Sequence, residues 1–208
     1  MLNPIARNLL MAHYEEVFQP LNDPEFAERD SDAHPCGGLV VVRMLTRTPD
    51  GRLMQAVATI GASQRALPRD KRDPNSGEAR NEYVIFVPAD WDLDKEENQW
   101  VLDLLGDLAD YTCGEVERPL TYGHRLDMYG GDPDALPEGV NMTGCILLEP
   151  FGGQRPELRS LRTGLFSRVS LLHAMPLTAG EMEMDEEALQ ERFYPASGEV
   201  RFLCARSR

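Results

Sequence analysis

The cysteines and histidines are the side chains of this 208-residue protein best suited to metal binding or covalent catalysis. A structural zinc site draws on two close ligand pairs. Here one close pair exists, His34 and Cys36 across Pro35, and His124 and His173 lie far away in sequence. Cys36, Cys113, Cys145 and Cys204 are scattered without a C-x-x-C spacing, which fits buried free thiols in a reducing compartment. No metal and no cofactor is expected. A Cys/His hydrolase needs a thiol beside an imidazole, and only folding can bring them together. An enzyme built on His124, His173 and a cysteine, of unspecified chemistry, therefore stands as one rival function. His173 alternates with Leu171 and Met175 in an apolar run, the pattern of a core or half-buried histidine. Ser63, in Gly61-Ala62-Ser63-Gln64-Arg65, lacks the second glycine of a nucleophile elbow. Neither Gly130-Gly131 nor Gly152-Gly153 extends into a phosphate-cradling loop. No catalytic residue is expected.

Carboxylates are the richer signal. Ten of them, with one lysine, lie between residues 90 and 117. Within that stretch Val101, Leu104, Leu105, Leu108 and Thr112 recur at the spacing of one α-helical face, while Asp103, Asp107 and Asp110 take another. Asp94 with Glu97 suits a capping box at the start, and Gly114 suits the end. The bland reading is a solvated helix face over a sheet. The sharper one is an acidic surface that meets a basic partner. The chain carries 35 acidic against 21 basic residues, a net charge of −14. Such a balance opposes nucleic-acid binding and favours cationic partners.

Those residues need a scaffold, and the chain supplies recognisable parts. Residues 1–20 read as an N-terminal helix, with Asn3 and Pro4 at its start, Ile5, Leu9, Ala12 and Glu16/Val17 along one side and Pro20 as its stop. A polar connection runs from Asp23-Pro24 to His34-Pro35. Residues 39–47 and 53–60 form a hairpin about Thr48-Pro49-Asp50-Gly51. From Gly61 to Arg80 the chain is turn-rich and basic, with the signature of a solvated mobile loop. Further strands are expected at 82–87, 143–148 and 169–175, closed by Pro88, Pro150 and Pro176, with a short one within 122–128 and a last one at Val200–Cys204. Thr178 and Glu181 suit a capping box for a closing helix whose apolar side is Met182, Leu189 and Phe193. Hairpins mixed with helices give an α+β class: a mixed, largely antiparallel β-sheet flanked by α-helices, in a single domain over 1–208. No apolar run approaches the ~18 residues of a membrane span. Pro4, His13, Glu15 and Glu16 interrupt any signal peptide, so a cytoplasmic location is expected.

One resemblance covers over half the chain, strongest over 61–178. It rests on Asn81-Glu82-Tyr83-Val84-Ile85-Phe86-Val87-Pro88, the helix from Trp100 to Tyr111, Gly123-His124, Thr143-Gly144-Cys145-Ile146-Leu147-Leu148-Glu149-Pro150, and Val169-Ser170-Leu171-Leu172-His173-Ala174-Met175-Pro176-Leu177-Thr178 followed by Glu181. This ordered set resembles the suppressor of fused family. The resemblance implies an α+β domain without catalytic residues that works by binding other proteins. Animal members hold a transcription factor, gripping a peptide as an added strand between two domains. Bacterial members are single-domain, and some resemble immunity proteins that neutralise a toxin from the same locus. In the animal members a tyrosine ending this helix contributes to the peptide site, and Tyr111 matches it. The aspartate expected just before the histidine is replaced by Gly123, ahead of His124. The expected site is therefore a partner-binding surface of Tyr111, Asp103, Asp107, Asp110 and His124. Its expected ligand is a basic protein, with no nucleic acid and no membrane. A homo-oligomeric scaffold is the other rival.

Overall fold

In the computed structural model, residues 4–29, 35, 38–67, 78–114, 116, 120–129, 136–154, 156–162 and 167–193 are described. Their organising element is an eight-stranded sheet of order β1-β2-β3-β4-β8-β6-β5, with β7 pairing β8 off that path. The strands are β1 (Glu25–Arg29), β2 (Leu39–Arg47), β3 (Leu53–Ile60), β4 (Glu78–Pro88), β5 (Arg125–Asp127), β6 (Gly144–Leu148), β7 (Ser160–Arg162) and β8 (Ser167–Leu177). Only β4 and β8 run parallel; the other pairs are antiparallel. This is the mixed, mostly antiparallel α+β fold that the sequence implies.

Both faces of the sheet are covered, and this explains why β2 and β4 read as nearly continuous apolar runs rather than strict alternations. Helix α2 (Trp100–Cys113) covers one face, burying Val101, Leu104, Leu105 and Leu108 against Val41, Val57, Tyr83, Ile85, Leu147 and Leu172. Helix α1 (Pro4–Phe18) covers the other, where Phe18, Phe86 and Phe151 interlock and the Phe86 and Phe151 rings stack 4.6 Å apart. Two short helices, α3 (Ala179–Met182) and α4 (Glu186–Phe193), close a third apolar cluster of Ile146, Met175, Leu177, Leu189 and Phe193.

The hairpin of β2 and β3 lies at its expected bounds, with Gly51 at φ +88° closing the turn. The Thr178–Glu181 capping box is present in full. Other expectations need correction. The connection after Pro24 contains β1, whose Phe26 pairs with Val42 at the sheet's edge. Helix α1 buries Leu10, Tyr14, Val17 and Phe18, while Ile5 and Leu9 are 69% and 41% exposed, so of the expected face only Val17 meets the core. The large aromatic residues, two turns further on, decide which side meets the sheet.

Pro176 does not close its strand. The Leu177 carbonyl accepts from Thr143 N–H, so by alternation Pro176 turns its main chain away from β6. On that side the described pairing with β4 has already ended at His173, and no donor is missed. Helix α2 starts at Trp100 rather than after Asp94: a tight turn over Glu96–Asn98 precedes it, and Asp94 instead pairs with Arg43 at 2.8 Å. The described parts of 61–80 are not a mobile loop. Arg80 donates to the Ser63 and Gln64 carbonyls at 2.8 and 2.6 Å, and Leu67 is buried. Asn3, His34, Cys36 and the expected strand Val200–Cys204 lie outside the described residues.

Candidate protein-interaction site

Helix α2 sinks deeply into the molecule. Gly106 and Ala109, beside the four apolar residues, are also buried, and the helix leaves only a narrow stripe outward. Along it Asp103 is exposed, Asp107 and Asp110 are half-buried, and Tyr111 is 46% exposed. These residues stand at i, i+4, i+7 and i+8, which places them on one side of the helix over about 12 Å. The sequence grouped them correctly but overstated their solvation. Beside them runs the segment around β5, whose Tyr122, Leu126, Met128 and Tyr129 pack on the same core.

Tyr129 donates its phenolic proton to Asp107 Oδ2 at 2.9 Å. Burial, with the Asp107 carboxylate beside it, holds that phenol far above its ordinary range. Asp107 is therefore a structural acceptor as much as a surface charge. The far end of α2 is fixed by Arg65, whose guanidinium donates to the Cys113 carbonyl at 2.6 Å and to that of Gly114. A cation on the last carbonyls satisfies groups the helix cannot and complements its dipole. Thr112 bonds the Leu108 carbonyl and the buried Tyr83 hydroxyl, so Tyr111 stands on a rigid support.

The sheet's terminal strand, β5, joins this stripe through Tyr129. His124 carbonyl accepts from Leu147 N–H at 2.9 Å, and Met128 N–H donates to Thr143 at 3.1 Å. By alternation the main chain of Arg125 points away from β6, towards the edge of the sheet. His124 itself lies at the other end of β5, about 16 Å along the chain from Tyr129 at ~3.3 Å per residue. Its Nδ1 accepts from Thr121 N–H at 3.2 Å. Thus the three aspartates and Tyr111 form one patch, and His124 stands apart from it. Gly123 has φ +87°, a left-handed turn that glycine adopts without strain.

Residues that sequence reasoning missed define this geometry. Tyr129 fell between assigned elements. Gly144 is needed because a Cβ there would lie 2.0 Å from the Leu126 carbonyl oxygen. Its signal in sequence was a glycine opening a β-rich run.

The chemistry-bearing residues elsewhere are structural. Glu82 is wholly buried and accepts from Thr59 Oγ1, Gly61 N, Ser63 N and Ser63 Oγ at 2.6 to 3.1 Å. Desolvation raises its pKa, and those four donors oppose the rise. Ser63 is thereby committed as a donor in a closed network. His173 is buried with its ring centroid 4.8 Å from that of Phe86, a core histidine as expected. Cys145 is free and buried, and burial pushes its thiol up to about 12. Cys113 is disulfide-bonded, with its partner outside the described residues, which corrects the expectation of free thiols. Its sulfur lies 3.6 Å from the Ala62 carbonyl oxygen, a packing contact because an oxidised sulfur has no proton to donate. Neither described cysteine offers a thiolate nucleophile.

A family model described as Suppressor of fused protein (SUFU) matches residues 33–193. Among solved structures, a SUFU homologue from Neisseria gonorrhoeae has a similar fold, with a TM-score of 0.62 at 14% identity. That likeness covers 98% of this chain and 94% of the other. No curated protein matches the chain.

Proposed function

The chain belongs to the suppressor of fused family, and from that premise we propose that it acts by binding another protein through the α2 stripe and the adjoining strand β5. The observation that carries this reading is the patch itself. An aromatic anchor, Tyr111, ends a row of three carboxylates, and the Tyr129–Asp107 bond fastens that row beside the terminal strand of the sheet. Aromatic side chains on rigid supports dominate protein interfaces. Carboxylates around one, on a chain of net charge −14, favour a basic partner by speeding encounter. A terminal strand suits strand addition. The family is one of protein-interaction domains, which supports a non-catalytic role.

The finer reading is an immunity-like protein that neutralises a partner toxin in the cytoplasm, by the resemblance to bacterial single-domain members. Among the described residues no helix is long and apolar enough to cross a membrane. The Cys113 disulfide tests the compartment. A disulfide is uncommon in a reducing compartment, so alkylation in intact cells, with and without reductant, decides the location: a reduced Cys113 supports the cytoplasm and a fully oxidised population refutes it.

The binding surface is tested by photo-cross-linking. A photoreactive residue replacing Tyr111 should capture the partner, and one replacing Ile5, exposed on α1 across the sheet, should not. Capture from position 5 alone overturns the surface. With the captured protein in hand, neutralising Asp103, Asp107 and Asp110 to asparagine should slow association, and less so as salt shortens the Debye length from ~8 Å. Tyr111→Ala should mainly speed dissociation. The toxin reading is lost if co-expression leaves the captured protein's toxicity unchanged.

A further inference from the structure

Strand β5 is three residues long, and main-chain bonds from Gly123, His124, Met128 and Tyr129 extend its pairing with β6 and its flank. Its anchor on the other face of the sheet is a side chain. The half-buried Arg125 guanidinium donates to the Met182 carbonyl at 3.0 Å and to the Met184 carbonyl. Those carbonyls sit where α3 ends, among groups that a helix cannot satisfy internally. Helix α3 is in turn tied to α4, because Glu181, 2% exposed, accepts from Arg192 as well as from the amide and hydroxyl of Thr178. Leu189 and Phe193 of α4 then close an apolar cluster with Ile146, the residue paired with Arg125 across β5 and β6. One continuous set of contacts therefore runs from α4 through α3 to β5.

We propose that Arg125 is a positioning residue that couples β5 to the α3–α4 pair, so that the contact strand and the C-terminal helices loosen or tighten together. Arginine suits the task because its Nη1 carries two protons and donates to both carbonyls at once. The coupling is a property of the free protein. Its functional meaning, that partner capture at β5 tightens α3–α4, rests on the surface proposed above.

Hydrogen exchange on the full chain tests it, comparing wild type, Arg125→Gln, Leu189→Ala and the double variant. The Gly123, Met128 and Tyr129 amides, each bonded to β6 or its flank, report on β5. Arg125→Gln should speed exchange at 123–129 and at 179–193 by about tenfold, the order of one charge-assisted hydrogen bond, and leave 39–60 and 100–113 unchanged. Leu189→Ala should speed 123–129 in wild type and add nothing in the Arg125→Gln background. Additive effects, or a β5 indifferent to Leu189→Ala, overturn the proposal. If Arg125→Gln loosens the whole chain, the same cycle is run with Arg125→Lys, where non-additive effects support the coupling and additive effects refute it. Cross-linking at position 111 is read separately. Its failure removes the binding surface, and additivity in the exchange cycle removes the coupling.

Discussion

The bond between Tyr129 and Asp107 is the contact on which the candidate surface turns, and removing it yields a definite number. Tyr129→Phe keeps the ring on the core and deletes one charge-assisted donor at 2.9 Å. A hydrogen bond to a charged group contributes ~1.5–3 kcal/mol when sealed from water. Both residues are half-buried, so water replaces part of what is lost, and ~1 kcal/mol remains. For a chain of this size that is about 2–4 °C in Tm. Asp107→Ala should cost about the same, against the near-neutral effect that a solvated face implies. Because both substitutions break one contact, the double variant should lose ~1 rather than ~2 kcal/mol in urea titration. Leu105→Ala, wholly buried, sets the scale at ~2–5 kcal/mol. Alkaline titration gives a second readout with a fixed sign. Above the ordinary phenol value of 10.0, unfolded Tyr129 releases its proton while the native phenol keeps it. The native state then binds more protons, so stability falls as pH rises, and below that value the contribution is flat. Tyr129→Phe should weaken that alkaline decline. Strict additivity in the cycle, together with an unchanged alkaline slope, would refute the argument that Tyr129 fastens β5 to α2.

Gly144→Ala should detach β5, since the new methyl would meet the Leu126 carbonyl at 2.0 Å; exchange at 123–129 rising while β2 and β3 stay protected would bear this out. Leu10→Ala should cost ~2–5 kcal/mol and Ile5→Ala almost nothing, and equal thermal shifts would count against the observed face of α1. Cys145 should resist alkylation in the native protein at pH 8 and react only on unfolding, because burial pushes its thiol up to about 12; rapid native labelling would contradict that burial.

The parts of this fold legible in sequence are those fixed by local rules. The β2–β3 hairpin announces itself by a Pro-Asp-Gly turn between two apolar runs, and the Thr178 capping box by its own spacing. The apolar face of α2 follows from periodicity alone. Misreadings arose where tertiary context outweighs local pattern. Glu25–Arg29 carries three charges in five residues and still forms a strand, because β2 offers it an edge and charged edge strands resist aggregation. Pro176 normally marks a strand's end, but a strand that has lost its neighbour on one side has no donor to supply there. No spacing rule foretold that a tyrosine 22 residues past Asp107 would cover it.

The same distinction bears on function. Tyr111 and the acidic residues form a patch because helical spacing places them on one stripe, and that could be read in advance. His124 matches the family by sequence order, yet β5 holds it at the far end of the strand from the Tyr129–Asp107 contact. Gly123, where the resemblance to the animal members implies an aspartate, turns the chain with positive φ and contributes no carboxylate. Here the carboxylates of the candidate surface stand on α2, as Asp103, Asp107 and Asp110. Specificity in such a scaffold follows the placement of a few charges around a fixed aromatic anchor. Gly123→Asp should therefore strain the turn without strengthening capture at position 111.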